Sequence, residues 1–62
     1  MNSSAKRLEI ALNSARIVMH DTFVDGNPAE MPATAYEDSL DEILNMVRIA
    51  EAAVLELKAR LY

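Results

Sequence analysis

The chain has 62 residues, of which 52% are hydrophobic and 26% charged, and its formal net charge is −4. This composition is typical of one small folded domain and excludes a disordered chain. There is no cysteine and only one histidine, which excludes disulfides and the usual zinc ligand sets, so we expect a core of this size to need a partner.

Other classes of function are disfavoured by what the sequence lacks. Gly26 is the only glycine, whereas phosphate-cradling loops need two or more at fixed spacing. The longest aliphatic run, Ala52 to Leu55, is far shorter than the roughly 18–20 residues of a membrane span. We therefore expect a cytoplasmic protein with no membrane partner. The acidic net charge also argues against nucleic acid as the main partner.

The first predicted element is a helix over about residues 4–24. Ser3 or Ser4 can cap its start, and Gly26 followed by Pro28 favours its end. A seam with heptad spacing runs along it through Ala5, Leu8, Leu12, Ala15, Met19 and Thr22.

Residues 25–33 form a predicted loop, since both prolines and the only glycine fall there. The second predicted helix covers about residues 35–61, and Thr34 with Glu37 matches a capping box at its start. A short connection brings two helices back antiparallel. The sequence therefore predicts an all-α fold, with residues 1–62 as a single helical-hairpin domain.

The second helix carries an apolar seam that is wider than one facing helix can cover. The seam consists of Tyr36, Leu40, Ile43, Val47, Ala50, Val54, Leu57 and Leu61, flanked by Leu44, Leu55, Tyr62, Met46 and Ala53. One alternative is a loosely covered monomer, although two isolated helices bury little apolar surface against an ordering cost of about 1–2 kcal/mol per residue. We therefore predict that two hairpins form a four-helix bundle. The predicted dimer interface consists of Leu40, Ile43, Leu44, Val47, Val54, Leu57 and Leu61.

A second apolar feature is the ridge formed by Ile10, Ile17 and Val24. These residues recur every seven positions, almost opposite the seam of the first helix. Single exposed aliphatic residues are common and need no function. Their alignment favours the alternative, in which the ridge is a surface for another protein or a second dimer interface.

Charge divides the chain into three parts. Residues 1–16 sum to +2, residues 17–47 to −7 with no Lys or Arg, and residues 48–62 to +1. In a hairpin the loop end is then acidic and the terminal end weakly basic, which favours antiparallel packing of two copies. The alternative is a merely solvated acidic cap.

The sequence contains no constellation typical of catalysis or metal binding. Carboxylates four residues apart, such as Asp38 and Glu42, share a helix face, but no acid has the histidine three residues on that di-iron bundles require. His20 has no nucleophile that a scaffold would place beside it. We predict no catalytic residue, no metal and no cofactor.

The run Ala11 to Arg16, Ala-Leu-Asn-Ser-Ala-Arg, resembles the corresponding stretch of the Rop family of plasmid RNA-binding regulators. Members of that family are helical hairpins that form antiparallel four-helix dimers, so the resemblance, over about six of the 62 residues, implies the same architecture. In the family an asparagine, an aromatic residue, a glutamine and lysines contact RNA. Asn13 is retained, whereas Ile17, Asp21 and Pro28 stand in place of the aromatic residue, the glutamine and a lysine.

The sequence therefore predicts a small, acidic, non-enzymatic protein-interaction module that acts through a helix face. A homodimeric regulator, a chaperone-like subunit or an inhibitor would fit, with a second copy and an unidentified protein as partners. The alternative is a Rop-like RNA-binding regulator that uses the basic terminal ends of two subunits.

Overall fold

The computed structural model describes residues 2–61 and contains, within that range, helices and no strand. Helix α1 spans Ser3–Met19 and continues as a π-helical turn over His20–Val24. A 3-10 turn over Pro28–Glu30 precedes helix α2, which spans Ala33–Ala59. The two long helices pack against each other in a rod 48 Å long. The prediction of an all-helical hairpin is confirmed.

Helix α1 starts one residue before the predicted position because Asn2, and not Ser3 or Ser4, caps it. The Oδ1 atom of Asn2 accepts hydrogen bonds from the backbone N–H groups of Ser4 and Ala5, at 3.0 and 3.2 Å. One side chain thus satisfies two of the donors that a helix start leaves free. Ser4 instead turns towards α2 and is only 1% exposed.

Glycine is favoured at position 26, after the π turn, by close backbone packing and not by a left-handed helix cap. The N–H of Asp25 donates to the carbonyl oxygen of His20 at 2.9 Å, which closes the π turn. Gly26 does not adopt the left-handed conformation common at helix ends. However, a Cβ atom at Gly26 would lie 2.7 Å from the carbonyl oxygen of Thr22 and 2.8 Å from that of Asp21. The close approach of these two carbonyl groups therefore favours glycine.

Helix α2 begins before Thr34, so the prediction that Thr34 and Glu37 form a capping box at its start is wrong. Pro32 occupies the cap position with an extended backbone, and its carbonyl oxygen accepts a hydrogen bond from the N–H of Tyr36 at 3.0 Å. Thr34 already lies inside the first turn. A proline fixes its own φ angle, so the helix can start directly after it without a side-chain cap. Helix α2 ends at Ala59, and Leu61 lies in the turn that follows.

The helices meet along a line of small residues, which differs from the predicted packing of large seam residues. Within residues 2–61 the buried positions are Ser4, Ala11, Thr22, Ala50 and Ala53. Side chains of this size let two helix backbones approach closely. The larger seam residues, such as Leu12 and Val47, are rotated away from the contact and are about half exposed.

Candidate interaction surfaces

One side of the hairpin, called the broad face below, carries large apolar residues that are only partly covered. It consists of Leu12, Met19, Leu40, Val47 and Val54, each between 43% and 54% exposed. Successive residues of a helix are about 100° apart around its axis. By this spacing, the broad-face residues of α1 lie on the side of that helix away from Ile10. Those of α2 lie on the side away from Ile49. Ile10 and Ile49 line one groove, so the broad face occupies the opposite side of the hairpin.

The residues predicted as the dimer interface fall into two groups. Ile43 and Leu57 are half-buried and lie seven residues to either side of Ala50, close to the line of helix contact. The others are exposed, and they are Leu40, Leu44, Val47, Val54 and Leu61. A single hairpin leaves these five side chains in water, and the dimer interface itself stays a prediction.

The predicted ridge is exposed along its whole length. Ile10, Ile17 and Val24 are 54%, 50% and 64% exposed, so none of them belongs to the core of the hairpin. Ile10 also lies beside Ile49, a residue to which the sequence assigned no role. The sequence does not show that Ile49 is the neighbour of Ile10, because this depends on how each helix is rotated about its own axis.

An open groove of about 290 Å³ runs between the helices on this second side. The surface that contains it is called the groove face below. The groove is lined by Arg7, Ile10, Ala11, Ser14, Met46 and Ile49, and its surface is almost wholly apolar. Enclosed ligand sites usually start at about 300 Å³ and carry a few converging polar groups. An open apolar groove of this size fits side chains of another helix better than a small polar molecule.

A polar cluster, called the clasp below, joins the helices at the terminal end of the groove face. The Ser4 hydroxyl donates to Glu56 Oε2 at 2.6 Å, and Arg7 donates both to Ser4 Oγ at 3.3 Å and to the same carboxylate. Sequence reasoning missed the clasp because Glu56 is 52 residues from Ser4. The hydrogen bond from Ser4 lowers the pKa of Glu56; desolvation opposes this effect, and the charge of Arg7 adds to it.

The loop end is held together by different contacts. Thr22 Oγ1 donates to Ser39 Oγ at 3.4 Å, and the rings of Phe23 and Tyr36 meet edge to face with centroids 5.5 Å apart. These contacts and the clasp fix the two ends of the hairpin, so the apolar surfaces between them are presented on a defined scaffold.

The only histidine of the chain, His20, lies outside both the clasp and the groove. His20 is the first residue of the π turn and Asp25 follows the last. His20 Nε2 lies 3.2 Å from Asp25 Oδ2, and both side chains are at least half exposed. Within the described range no group of three or more His, Asp and Glu residues is placed to hold a metal ion. In the same range no helix has both the length and the apolarity needed to cross a bilayer.

Comparison with known proteins gives no relative: no protein-family model, curated protein or solved structure matches the chain. The two apolar surfaces and the charges around them are therefore the observations on which a function can be proposed.

Proposed function

We propose that the protein is a non-enzymatic interaction module whose working form is an antiparallel homodimer, a four-helix bundle closed by the broad face. A regulator, a chaperone-like subunit or an inhibitor would act in this way. The observation that carries the proposal is the contrast between a core of alanines and a broad face of half-exposed leucine, valine and methionine side chains.

The energetics of a lone hairpin support a second copy. Ordering each residue costs about 1–2 kcal/mol, and chains of this size rarely gain a net 3–5 kcal/mol or more from a single core. Within residues 2–61 the buried hydrophobic side chains are Ala11, Ala50 and Ala53, which contribute little. Fully burying an exposed Leu, Val or Met side chain contributes about 1.5–3 kcal/mol, and each of the five residues of the broad face still has about half of its surface to bury.

The distribution of charge supports the antiparallel arrangement. The loop half of the rod, residues 17–47, carries a charge of −7 and no Lys or Arg. Parallel packing would place two such halves side by side, whereas antiparallel packing places each beside the weakly basic end of the other copy. Charge complementarity of this kind selects orientation more than it adds affinity.

A non-catalytic role is supported by the state of the polar groups. The Ser4 hydroxyl, the most buried nucleophile-type side chain described, donates a hydrogen bond to Glu56 and accepts one from Arg7. A hydroxyl held in this way stabilises the helix pair and does not face a cavity where a substrate could react. The groove that does exist is lined by apolar groups.

The oligomeric state tests the proposal directly. Sedimentation equilibrium between about 1 and 100 μM should give a mass twice the 6.9 kDa of the chain, and helicity should fall as the dimer dissociates. A stably folded monomer throughout this range would contradict the proposal.

Orientation can be measured on a Glu30→Cys variant, because the chain has no other cysteine and a spin label then occupies one position. With α2 about 40 Å long, antiparallel packing should separate the two labels by more than about 30 Å. A separation below about 20 Å would show parallel packing and remove the electrostatic argument.

RNA binding separates the proposal from the Rop-like alternative. Binding to generic RNA should be weak at every salt concentration if the protein acts on other proteins. Affinity that is high at low salt and falls steeply as salt rises would indicate neutralised phosphates and favour the RNA-binding regulator.

A further inference from the structure

We propose that the groove face is a docking site for a basic amphipathic helix of a partner protein, which packs apolar side chains between Ile10 and Ile49 and places its cations over the acidic loop half. This inference rests on the proposed function as an interaction module, and it names the chemistry of the partner. It concerns the side of the hairpin opposite the broad face.

The apolar part of the site is built by both helices. Ile10 contributes from α1 and Met46 with Ile49 from α2, while Ala11 forms part of the lining between them. The large side chains of each helix form one side of the groove, and small residues lie between them. A third helix can pack a ridge of its side chains into a groove of this shape. Amphipathic helices commonly bind in such apolar grooves through residues spaced three and four apart.

The charged part of the site extends from the groove towards the loop. Glu42 lies seven residues before Ile49 and Asp38 one turn earlier, so both carboxylates lie on the Ile49 flank of α2. Asp21 lies seven residues after Ser14 on the corresponding flank of α1. Within residues 2–61 none of these three carboxylates forms an ion pair.

The terminal end of the groove face is different because it carries cations, two of which pair with neighbouring carboxylates. Lys6 pairs with Glu9 at 3.3 Å, and Arg7 pairs with Glu56 in the clasp. A second copy of the chain has a net charge of −4 and would bring the seven carboxylates of its own loop half together with its cations. A basic helix satisfies both the apolar groove and the acidic flank, and we therefore assign the site to another protein.

The size of the surface sets the length of that helix. From Arg7 in α1 to Asp21 in the π turn the face spans 14 residue steps, which is about 21 Å at 1.5 Å per step. A helix of about four turns spans this distance. Its apolar anchors face the groove at one end, and its Lys or Arg residues face the carboxylates at the other.

The probe for the test is a synthetic 18-residue helical peptide with Leu on one face and Lys on the others. Its matched control is a scrambled peptide of identical composition whose leucines do not share a face. Fluorescence anisotropy with the dimeric protein at about 20 mM and 300 mM salt should show binding of the amphipathic peptide at least about tenfold tighter than that of the scrambled one.

Protein variants locate the binding. The double variant Ile10→Gln with Ile49→Gln should weaken binding of the amphipathic peptide about tenfold or more, and Leu55→Gln, an exposed apolar position facing away from both surfaces, is its control. Glu42→Gln should weaken binding about threefold at low salt and less at high salt, because exposed charges are screened within about 10 Å at 0.1 M. Glu37→Gln, on the outer side of the same helix, should have no effect.

Sedimentation of the same samples distinguishes failure of this inference from failure of the proposed dimer. The groove variants should remain dimeric, and the peptide should add to the dimer without dissociating it. Equal binding of both peptides, equal loss in Leu55→Gln, or peptide-induced dissociation of the dimer would each overturn the docking site. The Glu42→Gln variant changes one exposed side chain, so its effect tests the site even if the double isoleucine variant folds poorly.

Discussion

The broad face and the groove face lie on opposite sides of the same two helices and expose similar kinds of side chain, yet their charges differ. Glu51 and Lys58, one turn beyond Val47 and Val54, border the broad face with opposite signs. Towards the loop, the groove face continues into Asp21, Asp38 and Glu42, which carry one sign only, whereas its terminal end holds the paired charges of the clasp.

This difference indicates different occupants for the two faces. The apolar side chains of the broad face can be buried permanently against an identical surface, because no charge among them loses its hydration there. A groove that is apolar and continues into carboxylates towards the loop instead favours a partner of the opposite charge.

The largest effect is expected when a charged residue is placed on the broad face and compared with the same change on the groove face. Val47→Asp should destabilise the dimer by several kcal/mol, because the new carboxylate would be buried without a partner. Ile49→Asp is the matched control, since Ile49 is 46% and Val47 48% exposed on the same helix. Sedimentation and thermal unfolding should show dissociation of the first variant only. If Val47→Asp changes neither, the broad face stays in water and a dimer closed by the broad face is excluded.

A second prediction concerns the line of small residues that separates the faces. Ala53→Leu should cost about 1–3 kcal/mol of unfolding free energy, because Ala53 is 2% exposed and the longer side chain would push the helices apart. Ala52→Leu, at the exposed neighbouring position, should change it by less than about 0.5 kcal/mol. Urea unfolding followed by circular dichroism measures both. Equal effects would show that the helices do not meet along this line.

Because Glu56 in the clasp is titratable, we expect the stability of the hairpin to depend on pH. Folding lowers the pKa of Glu56 below its usual value of 4.5, so the unfolded chain binds the proton more tightly. The stabilisation by this carboxylate is therefore present above pH 4.5 and is lost as the pH falls through the lower folded value. Thermal unfolding of wild type and of Glu56→Gln should differ at neutral pH and converge in acid, whereas Glu51→Gln should not show this convergence. A difference in unfolding temperature between wild type and Glu56→Gln that grows in acid would contradict the lowered pKa of Glu56.

The smallest effect is expected for the exposed ridge. Replacing Ile10 and Ile17 by Lys should change the unfolding free energy by about 0.5 kcal/mol or less per site, because both side chains are at least half exposed. Thermal unfolding and sedimentation check this, with a double Leu12→Lys, Met19→Lys variant on the broad face as the contrast. If the isoleucine variant loses its fold or its dimeric state, the groove face is an interface between copies of this chain.

Sequence patterns predicted the helices well and the candidate surfaces only in part. The exposure of Ile10 and Ile17 follows from their register opposite the seam of α1, which the sequence shows directly. The groove and the clasp could not be predicted in the same way, because each joins residues far apart in the chain. The place of Ile49 in the groove follows only from its neighbour Ile10, which lies on the other helix.

The sequence by itself determined two helices and a break between them, because heptad spacing, proline and the single glycine act over a few residues. It also determined which end of the hairpin is acidic, since charge along the chain does not depend on packing. Only the tertiary structure decided which flank of each helix turns inward. A wide apolar seam fits several rotations, and the one adopted brings Ala11, Ala50 and Ala53 together because small side chains permit the closest approach. That rotation exposes Leu12, Val47 and Val54 on one side and brings Ile10 beside Ile49 on the other, and so creates both candidate surfaces.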